Sequence, residues 1–176
     1  MLGKEDTAVK GNFLSALAMF IAVSVTIINV VNPLIVLIGI LIGASIGSLI
    51  ALRVKMTSIP EMVALFNGFG GLATFFIAWS EFNATPDNVF QYVVIMLTTY
   101  IGGVTFSGSI IAYGKLSEKL KIEKNSIITK LFTTLFYLSI LFLIYSIGFT
   151  QLIVLPTDFF TILLVLTLLG GIGFVL

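Results

Sequence analysis

The chain has 176 residues, is 59% hydrophobic and only 10% charged, and carries a formal net charge of +1 and a mean hydropathy of +1.18. This composition is far too apolar for a soluble domain and predicts an integral membrane protein. The sequence contains no Cys, no His and no basic patch, which excludes disulfides, thiolate or imidazole metal sites, His-dependent triads and a nucleic-acid partner.

Six apolar runs of membrane length follow one another with short connections. Asn32-Pro33 predicts a tight break between the first two, because a residue before proline is disfavoured in a helix. The sequence therefore predicts an all-α polytopic membrane bundle of about six helices, forming a single transmembrane domain over residues 1–176. The six runs, called spans one to six, are Phe13 to Val31, Leu34 to Leu52, Ile59 to Ser80, Val89 to Tyr113, Ile127 to Gly148 and Asp158 to Leu176.

The basic residues all fall on one side of this six-span arrangement. The loops on the other side carry Glu81, Asp87 and Asp158 and no cation. By the positive-inside rule, both termini are predicted to be cytoplasmic, or to face the matrix in a mitochondrial membrane. The basic residues are Lys4, Lys10, Arg53, Lys55, Lys115, Lys119, Lys121, Lys124 and Lys130.

Glycine spacing predicts where helices approach one another closely. Span two carries Gly39, Gly43 and Gly47 at intervals of four, a pattern typical of a packing seam. Span five has no comparable seam and is predicted to be peripheral and lipid-facing.

Span three begins with residues that are typical of a helix N-terminus, and it contains one amide side chain within the membrane-spanning part. Ser58 is a candidate N-cap, Pro60 suits a first turn, and Glu61 suits the positive end of the helix dipole, so the helix is predicted to begin near Ile59. Asn67 is the only strongly polar side chain further in, at roughly 10 Å from the helix start.

Helical periodicity gives spans three and four a small, polar face each. The face on span three is opposite an apolar face formed by Leu65, Phe69, Leu72 and Phe76. The stripe on span four is the predicted partner of the Asn67 face, with Gly71 and Gly102 at the packing positions. The small face of span three is Ala64, Asn67, Gly71, Thr74 and Ala78, and the stripe of span four is Thr98, Gly102, Thr105, Ser109 and Ala112.

Two interpretations of Asn67 and the hydroxyl stripe remain open at this point. In the first, the amide makes an interhelical hydrogen bond worth about 0.6 to 2 kcal/mol, and the hydroxyls bond to their own helix. In the second, Asn67 and the hydroxyls line a water-filled path, as intramembrane polar residues often do. An Asn side chain does not carry a proton at neutral pH, so it would act by orienting water.

Two segments of the chain resemble a known family. MTSIPEMVALFNGFGG, from Met56 to Gly71, and GGVTFSGSIIAYGKL, from Gly102 to Leu116, resemble two neighbouring membrane helices of the β subunit of proton-translocating NAD(P) transhydrogenase. Weaker similarity covers most of the remaining sequence. Relative to that family, the chain is expected to lack the first β-subunit helix, the last membrane helices and the soluble NADP(H)-binding domain.

The resemblance implies the membrane, proton-conducting part of an enzyme that couples proton translocation to hydride transfer between NADH and NADP+. It implies no hydride-transfer site and no bound cofactor in this chain, since NAD(H) and NADP(H) would be held by partner domains. The implied partners are the α subunit, the remaining β-subunit helices with their NADP-binding domain, and the lipid bilayer, in a dimeric complex. The implied location is a bacterial inner membrane rather than a mitochondrial one.

The resemblance also implies roles for single residues. In the family, the position of Asn67 is occupied by His or Asn and lies on the proton path, and Glu61 matches an acidic residue near the nucleotide-facing mouth. Thr105 and Ser109 are expected to be further donors along that path. Because this chain has Asn at position 67, a titratable relay would come from a partner or from absent helices. The alternatives are a small multispan carrier or channel subunit and a purely structural membrane subunit.

Overall fold

The computed structural model describes residues 5–28, 32–84, 86, 88–121, 127–150 and 157–175. These residues form six α-helices and one short 3₁₀ helix, Met56–Ser58, and contain no strand. The all-α prediction is therefore confirmed. The helices are α1 (Glu5–Ile28), α2 (Pro33–Arg53), α3 (Ile59–Asn83), α4 (Val89–Leu116), α5 (Ile127–Thr150) and α6 (Thr157–Val175).

Each predicted span corresponds to one helix, and the first five are long and apolar enough to cross a membrane. In α6, the apolar stretch within the described residues is the shorter segment Phe160–Gly173. The chain is therefore a multi-pass membrane protein. Several helices run past the apolar segment: α1 begins at Glu5 rather than Phe13, and α3 ends at Asn83 rather than Ser80. Backbone hydrogen bonding continues into the polar flanks, so an apolar run marks the hydrocarbon-spanning part and not the helix end.

The chain divides into two compact units, Met1–Arg53 and Val54–Leu176. The first unit holds α1 and α2, and none of the α2 side chains is buried. A Cβ added at Gly39, Gly43 or Gly47 would meet no atom within 4 Å, so the packing role of these glycines stays a prediction. The break predicted before Pro33 includes residues 29–31, which lie outside the described residues, as do Lys4, Asp87 and Lys124.

The second unit is built around α4, which packs against α3 on one side and α6 on another, while α5 packs against α6. One core cluster consists of Met96, Leu143 and Leu163 from α4, α5 and α6. A second joins Ala78 and Ile95 to Phe160, whose ring stacks on Phe82 with centroids 4.1 Å apart. The two clusters fix α6 against α4, so the position of α4 relative to its neighbours is set by apolar burial.

Span five was predicted to be lipid-facing, and that prediction is wrong for one of its faces. Thr129, Ser139, Leu143 and Ser146 of α5 are buried. The Ser146 hydroxyl donates to the Phe142 carbonyl oxygen at 2.7 Å and the Ser139 hydroxyl to the Phe136 carbonyl oxygen at 2.6 Å. The Ser139 hydroxyl also shares a hydrogen bond with the Tyr100 hydroxyl of α4 at 3.3 Å. The small residues at the contact between α5 and α6 come from α6. A Cβ on Gly170 would approach Ser139 Oγ to 2.8 Å.

Candidate functional site

The start of α3 confirms one local prediction and corrects another. The α-helix begins at Ile59 with Pro60 in its first turn, as predicted. Ser58 occupies the N-cap position but its side chain makes no capping hydrogen bond, so that part of the prediction is wrong. The reason is the preceding 3₁₀ turn, in which the Ser58 N–H donates to the Lys55 carbonyl at 2.9 Å and the Ser58 backbone is not extended. Glu61 lies half-buried in the first turn of α3.

Asn67 makes a direct side-chain contact with α4. Its Nδ2 donates to Ser109 Oγ at 2.8 Å. Ser109 is only 8% exposed, whereas Asn67 is exposed at the surface of this chain. The two side chains, 42 positions apart in sequence, therefore form a polar pair whose Asn67 half remains accessible from outside the chain.

The buried face of α3 is rotated from the predicted one. Its buried residues are Gly68, Gly71, Phe75 and Ala78, and Asn67 lies at the edge of this face rather than at its centre. A Cβ on Gly68 would come within 3.1 Å of Ser109 Cβ. Gly68 therefore lets α4 approach closely enough for Ser109 to reach the neighbouring amide. Gly68 lies outside the small, polar face predicted from helical periodicity, so that pattern did not indicate its contact with α4.

Gly71 and Gly102 lie where α3 and α4 are closest. A Cβ on Gly71 would be 2.8 Å from Phe106 N and 2.9 Å from the Gly102 carbonyl oxygen. A Cβ on Gly102 would be 2.8 Å from Phe75 N. Since these neighbours are backbone atoms, neither position has room for a side chain at this crossing.

A cavity of about 190 Å³ adjoins the Asn67–Ser109 pair. It has room for several water molecules, and its lining combines an amide and two hydroxyls with apolar groups. The structure thus brings together Asn67, Thr105 and Ser109, whereas Glu61 is not among the lining residues. The lining residues are Asn67, Val104, Thr105, Gly108, Ser109, Ala112 and Val175.

The hydroxyl stripe of α4 divides into two kinds of residue. Thr98 donates to the Val94 carbonyl oxygen at 2.7 Å, which is the bonding within one helix that the first interpretation expected of the whole stripe. Ser109 accepts across the helix interface instead, and Thr105 lines the cavity. Only the C-terminal part of the predicted stripe, from Thr105 to Ala112, thus borders the candidate site.

Val175 and Lys115 were not singled out by the sequence analysis as site residues. Val175 of α6 forms part of the cavity lining, and its carbonyl oxygen accepts a hydrogen bond from Lys115 Nζ at 2.6 Å. Glycine spacing in span six was a usable signal. A Cβ on Gly171 would be 2.6 Å from the Val104 carbonyl oxygen, so α6 lies directly against the cavity-bearing face of α4.

Comparison with known proteins places this chain in a family. The family of the NAD(P) transhydrogenase beta subunit matches residues 1–176. The chain belongs to this family. Two curated relatives, both named NAD(P) transhydrogenase subunit beta and both from Rhodospirillum rubrum, one of them from a named strain, are 32% identical to it over 126 residues. The match covers 65% of this chain and 27% of each relative, so the chain spans only about a quarter of their length.

Within this transhydrogenase beta subunit segment, the described residues contain no cluster of three or more His, Cys, Asp or Glu side chains that would hold a metal ion. The larger described cavity, of about 400 Å³, lies at the α3–α4 connection, where Glu81 and Gln91 stand among apolar residues. Neither described cavity is lined by a cation or by a glycine-rich phosphate loop. The polar side chains that line the smaller cavity are therefore one amide and two hydroxyls, groups that can hydrogen-bond water.

Proposed function

We propose that this chain is the membrane, proton-conducting part of an NAD(P) transhydrogenase, in which proton translocation is coupled to hydride transfer between NADH and NADP+. One observation carries the proposal. The Asn67 amide is hydrogen-bonded to Ser109 beside a cavity with room for several water molecules, on the two helices that bear the family's sequence motifs. A purely structural amide would need the hydrogen bond but not the adjoining space.

In the proposed mechanism, Asn67 and the hydroxyls of Ser109 and Thr105 hold a chain of water between α3 and α4. The amide supplies both a donor and an acceptor, and it does not itself ionise. The titratable group is supplied by a partner subunit or by helices of the beta subunit that this chain does not contain. Since Asn67 is exposed on the chain surface, such a group has access to it.

Glu61 is proposed to serve at the nucleotide-facing mouth of the path. It lies in the first turn of α3, six positions before Asn67, so the helix rise separates the two by about 9 Å. This distance is too long for direct transfer and requires intervening water. By the positive-inside rule, this end of α3 is proposed to lie on the cytoplasmic side together with both termini.

The reaction itself is proposed to take place in partner domains. NAD(H) and NADP(H) would be bound by the α subunit and by the NADP-binding domain of the beta subunit, with the remaining beta-subunit helices completing the membrane part of a dimeric complex. Protonation beside Asn67 would favour one of two docked states of the nucleotide domain, which is how a binding event at one site shifts a conformational equilibrium. The proposed location is a bacterial inner membrane.

Replacement of Asn67 by Leu in the complete reconstituted complex tests this function. We expect proton movement to be blocked or uncoupled, because Leu removes the donor and acceptor that hold water, while hydride exchange between isolated soluble domains is unchanged. Asn83→Leu is the matched control, since it removes the same amide from the far end of the same helix, where the amide Nδ2 donates to the Trp79 carbonyl oxygen of its own helix at 2.8 Å. Proton pumping at the parent rate in the Asn67→Leu complex would leave α3 and α4 with a scaffold role only.

A further inference from the structure

The larger described cavity lies where α3 ends and α4 begins, and it shares no described lining residue with the Asn67–Ser109 cavity. Its volume is about 400 Å³, and most of its lining side chains are apolar. We propose that this cavity binds the headgroup of a zwitterionic phospholipid that carries a primary ammonium group, and that Glu81 holds the ammonium. The lining residues are Glu81, Ala84, Pro86, Phe90, Gln91, Val94 and Ile95.

Aromatic rings hold together the two helix ends that form the cavity. The Phe82 ring of α3 meets the Tyr92 ring of α4 edge-on at a centroid distance of 6.5 Å, and it stacks on the Phe160 ring of α6 at 4.1 Å. Each polar lining residue directly precedes one ring of the first pair in the chain, so these contacts also fix the backbone that carries Glu81 and Gln91. The cavity is therefore preformed, as ligand cavities usually are.

The charges around the cavity favour a cation. Glu81 lies in the last turn of α3, at the negative end of the helix dipole, and that turn contains no basic residue. No Lys or Arg is among the described lining residues. At the adjacent, positive end of α4, the Asn88 side chain accepts a hydrogen bond from the Gln91 N–H at 2.9 Å. The Glu81 carboxylate is thus the charge that a ligand in this cavity meets, and an ammonium group complements it.

The position of the cavity along the helices favours a lipid over a small soluble amine. The apolar run of span three ends at Ser80 and that of span four begins at Val89, so Glu81 lies at the boundary between hydrocarbon and water. Ile95 lines the cavity six positions further along α4, about 9 Å toward the hydrocarbon, and Val94 lies beside it. An occupant therefore meets a carboxylate at the level of the lipid headgroups and apolar side chains at the level of the acyl chains.

The lining residues also distinguish one lipid headgroup from another. A primary ammonium group donates up to three hydrogen bonds, whereas a trimethylammonium group has no N–H to donate. Trimethylammonium groups are bound by cages of aromatic rings, and Phe90 is the only aromatic residue among the described lining residues. An anionic headgroup would meet the Glu81 carboxylate without a compensating cation. The cavity therefore favours an ethanolamine headgroup over a choline or a glycerol headgroup.

Protection of a cysteine in the cavity tests the proposal. This chain has no native cysteine, so Ala84→Cys gives it a single thiol at a lining position. The complete complex is placed in nanodiscs of phosphatidylcholine with or without phosphatidylethanolamine and is treated with methyl methanethiosulfonate, and mass spectrometry follows modification of this chain. We expect phosphatidylethanolamine to slow modification about fivefold, because charge-assisted hydrogen bonds keep the cavity occupied. Phosphatidylglycerol should give no protection.

Variants in the Ala84→Cys background identify the groups that are responsible. Glu81→Gln keeps the shape of the side chain and removes its charge, so it should abolish the difference between the lipid compositions. Glu118→Gln is the matched control, since it removes a carboxylate from the exposed segment at the other end of α4 and should retain the protection. Val94→Phe fills the apolar part of the cavity and should abolish the protection without changing any charge.

Three results would overturn the proposal. The first is modification at the same rate with and without phosphatidylethanolamine, and the second is protection that persists in Glu81→Gln. The third is equal protection by free ethanolamine in phosphatidylcholine nanodiscs, which would show that the cavity holds a soluble amine. If the Glu81→Gln complex fails to assemble, protection that persists in Val94→Phe contradicts the proposal instead. Since no proton movement is measured, these outcomes are separate from failure of the proposed function.

Discussion

Asn67 obtains its hydrogen bond through the residue that follows it. Gly68 is buried against α4 and lets Ser109 approach, while Asn67 stands at the rim of the contact and donates to the Ser109 hydroxyl. The identity of the polar residue was readable from the sequence, because one amide in an apolar helix is conspicuous. The orientation of Asn67 about the helix axis could not be read from the sequence, because the approach of α4 is set by Gly68 and Gly71 rather than by the polar side chains.

At the residue scale, Glu118 is a position where a substitution should stabilise the protein. It follows α4 with φ of 56°, the left-handed region that disfavours any residue with a Cβ. We expect Glu118→Gly to raise the free energy of unfolding by about 0.5 to 1 kcal/mol, after allowing for the greater freedom of glycine in the unfolded chain. Denaturation in mixed detergent micelles measures the change.

The control for Glu118→Gly is Lys121→Gly, in the same exposed segment. Glu118 is the only non-glycine residue with positive φ in the described part of the chain, so Lys121→Gly gains nothing from relief of backbone strain. Equal stabilities of the two variants would show that the conformation of residue 118 is not a source of strain.

At the element scale, the α3–α4 crossing depends on two glycines in backbone contact. Gly71→Ala should lower the free energy of unfolding by about 1 to 3 kcal/mol, because its Cβ would approach two backbone atoms of α4 to under 3 Å and force the helices apart. Gly70→Ala, one position earlier, is the matched control. A Cβ at position 70 would meet no atom within 4 Å. Gly70→Ala should therefore leave the free energy of unfolding unchanged or raise it by up to about 1 kcal/mol through helix propensity.

Detergent unfolding of the two glycine variants separates packing from propensity. If Gly70→Ala and Gly71→Ala were equally stable, the close crossing of α3 and α4 would have no energetic importance.

The sequence predicted the helices well and their pairing only in part. Apolar runs of membrane length are long and easy to recognise, so each of the six predicted spans corresponds to one observed helix. The buried face of α5 was not predictable from α5 itself, because what buries Ser139 lies on other helices: Gly170 of α6 leaves room for it, and Tyr100 of α4 shares a hydrogen bond with it. Site residues that depend on a neighbouring helix, such as Val175, were missed for the same reason.

At the scale of the whole molecule, the charge distribution makes a prediction about orientation. Ala84 precedes α4 and Lys121 follows it, so a spanning α4 places the two on opposite sides of the membrane. The positive-inside rule predicts that the basic side is cytoplasmic, so a membrane-impermeant thiol reagent should label Ala84→Cys in right-side-out vesicles and Lys121→Cys in inverted ones. The reverse pattern would contradict the proposed position of both termini.

The Asn67–Ser109 pair is the feature on which the proposed role of the whole molecule depends, and a double-mutant cycle on proton flux tests it most directly. Flux is measured in liposomes containing the complete complex with Asn67→Leu, with Ser109→Ala and with both changes. If the two side chains hold the same water, each single change lowers flux and the double change lowers it no further than the more severe single one. Flux at the parent rate in all three complexes would contradict a proton path between α3 and α4.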